Sequence, residues 1–403
     1  MGQGGMPVSG EIKRRKIAGT VVTLGIVSLL TDISSEGIYP LIPLFLTSVL
    51  GAQVAAVGLI EGIAESTASI LRLFSGWLSD RFGDRKWITV IGYGLSSISK
   101  PLFAISHSWP QVLGFRFADR VGKGIRSAPR DALIADVTPP ESRGISFGFH
   151  RAMDTVGAVT GPLLAFWLLK SLHLHFRTIF WLSAVPAVLA VLILIIFVRE
   201  RKTKREHVAP PSIKFSIFNR HFKMFLLVVT VFSLGNSSDA FLILRARNVG
   251  VSTENILLIY VLFNSVSALL CTHAGDISDR IGRRNVLFAG FLVFAGVYVG
   301  FALVKHPAAV WGLFAVYGAY TAMTAGVQKA FATDLVCADM RGTGLGAYQT
   351  LTGIALLPAS LIAGFLWDAV SPSAPFYYGA GMALISAILL LVLFQAQTTC
   401  TDT

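Results

Sequence analysis

The sequence predicts an all-α membrane protein of about twelve transmembrane helices, arranged as two six-helix bundles. Three observations predict it. The 403-residue chain is 54% hydrophobic and only 14% charged, whereas soluble domains are about a quarter charged, so this chain cannot cover a soluble surface. Apolar runs of bilayer length follow one another with short polar turns between them. A charged, glycine-punctuated segment, Gly76 to Lys86, returns as Gly275 to Arg284 in the second half.

The runs fall at about 17–46, 54–78, 87–105, 110–136, 144–169 and 178–198. They resume at about 222–246, 253–275, 285–304, 308–333, 343–368 and 375–396. This gives an N-terminal bundle over 1–198, a basic, Pro-containing linker over 199–221 and a C-terminal bundle over 222–403. The net charge of +12 lies in loops on one side, as the positive-inside rule requires, and no nucleic-acid partner is expected. Lys13 to Lys16 precede the first span, Arg199 to Arg205 fill the linker, and Arg81, Arg85, Lys86, Arg280, Arg283 and Arg284 fill the repeated turns. The orientation is therefore one with both termini cytoplasmic, and the N-terminal tail reads as retained. The three cysteines show no pairing or metal spacing.

The repeat extends beyond the turn. Ser34-Ser35-Glu36 matches Ser237-Ser238-Asp239, Glu65 aligns with Asn264, Arg143-Gly144 with Arg341-Gly342, and Asp136 with Asp334. Parallel halves of this kind place a substrate site near the midplane between them.

Charges inside spans cost several kcal/mol unless paired or hydrated. In the fourth span Arg116, Asp119, Arg120, Lys123, Arg126, Arg130 and Asp131 fall within a stripe of roughly 140°, which means a wet cavity or a dense ion-pair seam. The first span sets Asp32 and Glu36 one turn apart beside Tyr39, the second does the same with Glu61 and Glu65, and Arg151 and Asp154 share a face of the fifth. The C-terminal half is largely discharged at the aligned positions, where Arg72 becomes Cys271, Arg130 becomes Gln328 and Arg151 becomes Gln349. The N-terminal half is thus expected to manage protons, with Asp32, Glu36, Glu65, Asp154 and Arg120 as coupling candidates. The expected substrate cavity draws on Tyr39, Arg116, Lys123, Arg151, Asn236, Asp239, Asn264, Tyr317, Tyr320, Gln328 and Gln349. Gly157 and Gly161 would let helices pack closely, and Pro162 would kink the span.

These residues resemble the major facilitator superfamily over essentially the entire chain. Gly76 to Arg85 matches the family's loop motif Gly-x-Leu-Ala-Asp-Arg-x-Gly-Arg-Lys with Asp84 at one basic position, and the second copy keeps both basic residues. Arg120-x-x-Lys123-Gly124 resembles the Arg-x-x-Gln-Gly motif associated with proton coupling, and Gly157-x-x-x-Gly161-Pro162 resembles part of the antiporter motif. The resemblance implies the drug/proton antiporter branch: a proton-coupled secondary transporter, an exporter of a small polar or charged molecule working by alternating access. A proton-linked importer of an organic anion is the alternative. It also implies gating loops formed by Gly76, Asp80, Arg81, Gly83 and Arg85 and by Gly275, Asp279, Arg280, Gly282 and Arg283, which latch the two bundles together. The expected setting is a bacterial inner (plasma) membrane, with a monomer, a small-molecule substrate and the lipid bilayer as partners. Protons are the coupling ion, and no other cofactor and no metal are expected. No phosphate-binding loop or catalytic triad suggests an enzyme.

Overall fold

The computed structural model describes residues 17–139, 142–198, 200, 218–337 and 340–394. The basic clusters at 13–16 and most of the linker lie outside these residues. Fourteen helices are described: α1 (Gly19–Ile38), α2 (Leu41–Ser48), α3 (Val54–Phe82), α4 (Arg85–Ile105), α5 (Trp109–Asp136), α6 (Arg143–Ser171), α7 (Phe176–Phe197), α8 (Arg220–Gly235), α9 (Ala240–Asn248), α10 (Thr253–Ile281), α11 (Arg283–Leu303), α12 (Pro307–Asp334), α13 (Arg341–Ala369) and α14 (Ala374–Leu393). The chain thus crosses a membrane twelve times, α1 with α2 and α8 with α9 each forming one broken span.

The two halves repeat helix for helix. α3 and α10 are each 29 residues, α4 and α11 each 21, α5 and α12 each 28, and α6 and α13 each 29. Observed ends lie within a few residues of the expected runs. The second bundle starts at Arg220, inside the expected linker, because Asn219 caps α8 by accepting from the Phe222 N–H at 2.8 Å. Among the described residues, eleven spans are long and apolar enough to cross a bilayer by composition alone. α5 is the exception because of its charged stripe.

Both broken spans are unanticipated, and both break past their middle, toward the far end. After α1 the chain turns through Tyr39 and Pro40, and proline contributes no N–H to a continuing helix. Between α8 and α9, Ser238 competes for backbone groups: its Oγ accepts from the Ala240 N–H at 3.3 Å. The Ser360 hydroxyl accepts from the Ser238 N–H at 3.4 Å.

The expected turn is also shorter than the motif. Gly76 and Gly275 are helical, and the reversal rests on Gly83 (φ 63°) and Gly282 (φ 92°), left-handed conformations that favour glycine. Cys337 is disulfide-bonded, which residue spacing did not suggest, while Cys271 is free and exposed.

The halves meet mainly where α3 packs on α13 and α6 on α10. One end of the molecule carries the basic turns and is termed the basic end; the far end carries α2 and α9. At the far end α2 touches α9, and the Asp368 carboxylate accepts from the Ala55 N–H across the halves at 2.7 Å. Buried aromatics there include Phe45, Phe180, Phe241 and Phe301.

Candidate functional site: a midplane cavity between the halves

The charged stripe of α5 resolves into two parts. Toward the far end it is a dry seam against α3. The Arg116 guanidinium donates from both Nε and Nη2 to the two oxygens of Glu61, each at 3.0 Å, and these side chains are 2% and 1% exposed. Asp119 lies 3.5 Å from Arg116 and 3.4 Å from Arg120 and accepts from the Ser96 hydroxyl at 2.5 Å. Arg120 reaches Glu65 at 3.1 Å, where the carboxylate is 32% exposed at the cavity edge. The close approach of α5 to α3 requires Gly124, since a Cβ there would strike the Leu71 side chain and the Ala68 carbonyl of α3. Toward the basic end the stripe becomes wet, with Asp131 51% exposed and held by Arg130 at 2.9 Å. Arg116 was expected to line the cavity. It is instead locked in the seam, because a bidentate pair compensates the cost of burying its charge, and the Tyr39 ring covers it at 5.3 Å.

α1 carries the carboxylates that escape this seam. It is held against α6 by Gly157 and Gly161, where added Cβ atoms would meet Asp32 Cβ and the Ile33 carbonyl. Gly157 and Gly161 thus sit at the α1–α6 contact, with Pro162 inside the same helix. Among the described residues, neither Asp32 nor Glu36 has a basic group in ion-pair range. Glu36 instead accepts from the Tyr260 hydroxyl of the opposite half at 3.0 Å. Beside it Tyr39 and Ser238 share a hydrogen bond at 3.4 Å, again across the halves. Asp154 is tied down: it accepts from Ser28 at 2.5 Å and has His150 at 3.6 Å and Arg151 at 3.9 Å.

The C-terminal half supplies a cavity of about 330 Å³, the size of a small-molecule site. It brings together the expected Asn236, Asp239, Tyr317, Tyr320 and Gln328, with Phe232, Phe263, Tyr348 and Ser69 added. Asp239 accepts from the Tyr317 hydroxyl at 2.7 Å, and Gln328 from Tyr348 at 2.7 Å. Six expected residues, Tyr39, Arg116, Lys123, Arg151, Asn264 and Gln349, are not among the lining groups. Asn264 turns its amide onto the Tyr260 carbonyl of its own helix at 3.1 Å, and Gln349 is half-buried on α13. Lys123 is half-buried, with Arg120, Glu65, Glu36 and Asp32 in electrostatic range. Arg151 is 83% exposed.

Toward the far end the cavity meets a row of neighbouring rings that begins across the halves. Tyr39 lies 5.7 Å from Tyr260, Tyr260 5.7 Å from Phe263, and Phe263 5.3 Å from Tyr317. Toward the basic end it opens: Ala325 lines it and is exposed, and Lys329 follows one turn later, also exposed. Sequence reading missed Tyr260 as a partner, although it sits one turn before Asn264 on the same helix face. It also missed Lys100, which is 1% exposed inside the N-terminal half and donates to the Thr31 carbonyl at 3.5 Å.

The expected latch between bundles takes another form. Arg85 joins Asp80 at 2.7 Å to Asp136 at 2.5 Å, all within the N-terminal half. Arg283 repeats this with Asp279 at 3.5 Å and Asp334 at 2.7 Å in the other. Arg81 lies over Trp77 at 5.3 Å, and Arg280 pairs with Asp276 at 2.9 Å. In this conformation both turns therefore brace their own bundles, because Arg85 and Arg283, just past each turn glycine, reach the acid before the turn and a second acid of the same half.

Comparison with known proteins agrees with this architecture. The sequence profile of the Major Facilitator Superfamily matches residues 24–360. The chain is 38% identical over 383 residues to the uncharacterized MFS-type transporter MJ1317 of Methanocaldococcus jannaschii, covering 94% of this chain and 95% of that one. It is 23% identical over 366 residues to the quinolone resistance protein NorA of Staphylococcus aureus, covering 88% and 91%. Among solved structures it is similar in fold to the nucleoside transporter NupG, with TM-score 0.75, 13% identity and coverage of 94% and 100%. The D-xylose-proton symporter gives TM-score 0.72 at 16% identity, with coverage of 92% and 96%. With the profile spanning most of the chain and the twelve-span, two-half architecture in place, the chain belongs to the major facilitator superfamily.

Proposed function

We propose that this chain is a proton-coupled exporter of a small polar or charged molecule, working by alternating access. Its setting is a bacterial inner membrane, with the basic end and both termini cytoplasmic. The similarity to a quinolone resistance protein is consistent with efflux, but the Glu36–Tyr260 hydrogen bond carries the reading. Glu36 has no ion-pair partner among the described residues, and its hydrogen bond spans the halves that must separate at the far end.

A hydrogen bond to a carboxylate contributes about 1.5–3 kcal/mol and one to a neutral acid about half of that. Ionised Glu36 therefore holds the far end shut, and protonation loosens it. The loosened carrier is the one bearing a proton and no substrate. An antiporter needs that form to cross the membrane, whereas in a symporter the same crossing would dissipate the gradient. This sign favours exchange over import.

Proteoliposomes with an imposed pH gradient and a trapped pH-sensitive dye, challenged with a panel of drugs, amino acids and organic acids, test the proposal. A transported solute should move opposite to the protons and reach about tenfold accumulation per pH unit for one-for-one exchange. Glu36→Gln should abolish accumulation while leaving solute–solute exchange intact. Movement of solute and protons in the same direction would sink the exporter reading, and full accumulation by Glu36→Gln would sink the coupling assignment.

A further inference from the structure

The two ends of the cavity have opposite needs. At its inner end the groups left over are acceptors. One Asp239 oxygen takes the Tyr317 hydroxyl, and Asn236 presents a buried Oδ1 with no hydrogen-bond donor. No basic side chain lies within ion-pair range of Asp239 among the described residues. A ligand seated here must bring donors, and a cationic amine satisfies both acceptors.

At the open end the leftover groups are donors. Lys329 has no ion-pair partner among the described residues, and Arg72 from α3 and Arg151 from α6 are within electrostatic range of it. Arg72 also has a buried Nε without a partner. The one acid in range of Lys329, Asp131, is already held by Arg130 at 2.9 Å. Arg151 already has Asp154 at 3.9 Å, so the cations left at the mouth are Lys329, one turn beyond the lining Ala325, and Arg72, one turn beyond the lining Ser69, and an anionic ligand group would neutralise them.

Between the ends the wall is aromatic, formed by Phe232, Tyr320 and Tyr348. Lys329 follows Tyr317, the partner of Asp239, by twelve residues on α12, about 18 Å along the axis. The reach of the lysine side chain shortens the charge-to-charge span to roughly 12 Å.

From this we infer that the cavity takes an elongated zwitterion: a cationic amine on Asp239 and Asn236, a flat ring against the aromatic wall, and a carboxylate at Lys329 and Arg72. The inference rests on the transporter reading for its site, but it concerns equilibrium binding and needs no proton gradient. A protein that binds as described and exchanges no protons would sink the coupling proposal alone.

The test is calorimetric titration of the purified full chain in detergent with three probes. They are an aminomethyl-biphenyl-carboxylate with its charges at opposite para positions, its methyl ester, and its N-acetyl derivative. The zwitterion should bind about tenfold or more tightly than either singly charged relative. Lys329→Gln should erase the preference over the ester alone, and Asp239→Asn the preference over the N-acetyl acid alone. Should Asp239→Asn fail to fold, Asn236→Ala serves the same arm. Raising salt should weaken the acid more than the ester, because the exposed mouth is screened. An ester that binds as well as the zwitterion overturns the anionic mouth, and an equally tight N-acetyl acid overturns the inner cation site. Failure of all three probes to bind overturns the proposal.

Discussion

At the scale of single residues, burial decides which charges hold the fold and which are free to act. Glu61 and Glu65 lie one turn apart on α3 and look equivalent in sequence. Glu61 is 1% exposed under a bidentate arginine, whereas Glu65 is 32% exposed at its arginine. Removing one partner of a fully buried pair leaves the other charge uncompensated, at about 3–5 kcal/mol, while an exposed pair contributes about 1 kcal/mol or less. Glu61→Gln is therefore expected to lower unfolding stability in detergent by several-fold more than Glu65→Gln. Equal losses in a chemical unfolding titration would refute this ranking. The same reasoning separates Glu36 from Asp154: both are membrane acids, but Asp154 is held by Ser28 with His150 and Arg151 close by.

At the scale of elements, glycine sets how closely the two halves approach. α3 and α13 meet where Cβ atoms on Gly58 and Gly364 would strike the Ser360 carbonyl and Ala55 Cα. Both contacts lie toward the far end, so side chains there should wedge it open. Spin labels at Ser48→Cys and Val249→Cys, at the ends of α2 and α9, should move apart by several ångströms in Gly58→Leu or Gly364→Leu. Gly94→Leu is the control, since a Cβ at that position meets nothing. An unchanged distance in both wedge variants would show that this glycine seam does not set the closed far end. The breaks at Tyr39–Pro40 and near Asn236 belong to the same scale. They place Asp239 at the cavity and bring Tyr39 against Ser238 across the halves.

At the scale of the whole molecule, the repeat supplies a symmetric frame and the charges break the symmetry. The arginine latches are near copies, yet Arg85 is 7% exposed between its acids and Arg283 is 26% exposed. The cavity is likewise asymmetric, lined almost entirely by the C-terminal half, with Ser69 as the lining residue from the N-terminal half. Orientation is a property of this scale, and the proposed one puts the basic end on the cytoplasmic side, as the positive-inside rule expects. In a Cys271→Ser background, an impermeant maleimide applied to intact cells should label Val370→Cys at the far end. Gly342→Cys, at the basic end, should react only after the membrane is opened. The reverse pattern would invert the assignment and with it the direction of export.

Span positions, the two-half plan and the polar face of α5 were legible in the chain, because each depends on local composition: about twenty apolar residues per crossing, basic turns and a helical period. Asp32, Glu36, Asp239 and the tyrosines of α12 were legible as candidates because charge or aromatic polarity within an apolar run is costly or distinctive. Which candidates would be free was not legible. Arg116 was expected to face the substrate until Glu61, 55 residues away, was seen to enclose it. Glu36 gained its meaning from Tyr260, 224 residues away. Composition determines that a charge must find a partner inside a membrane. Only the packing of helices, set by where glycines admit close approach, decides which partner it finds and which charges remain open to protons and ligand.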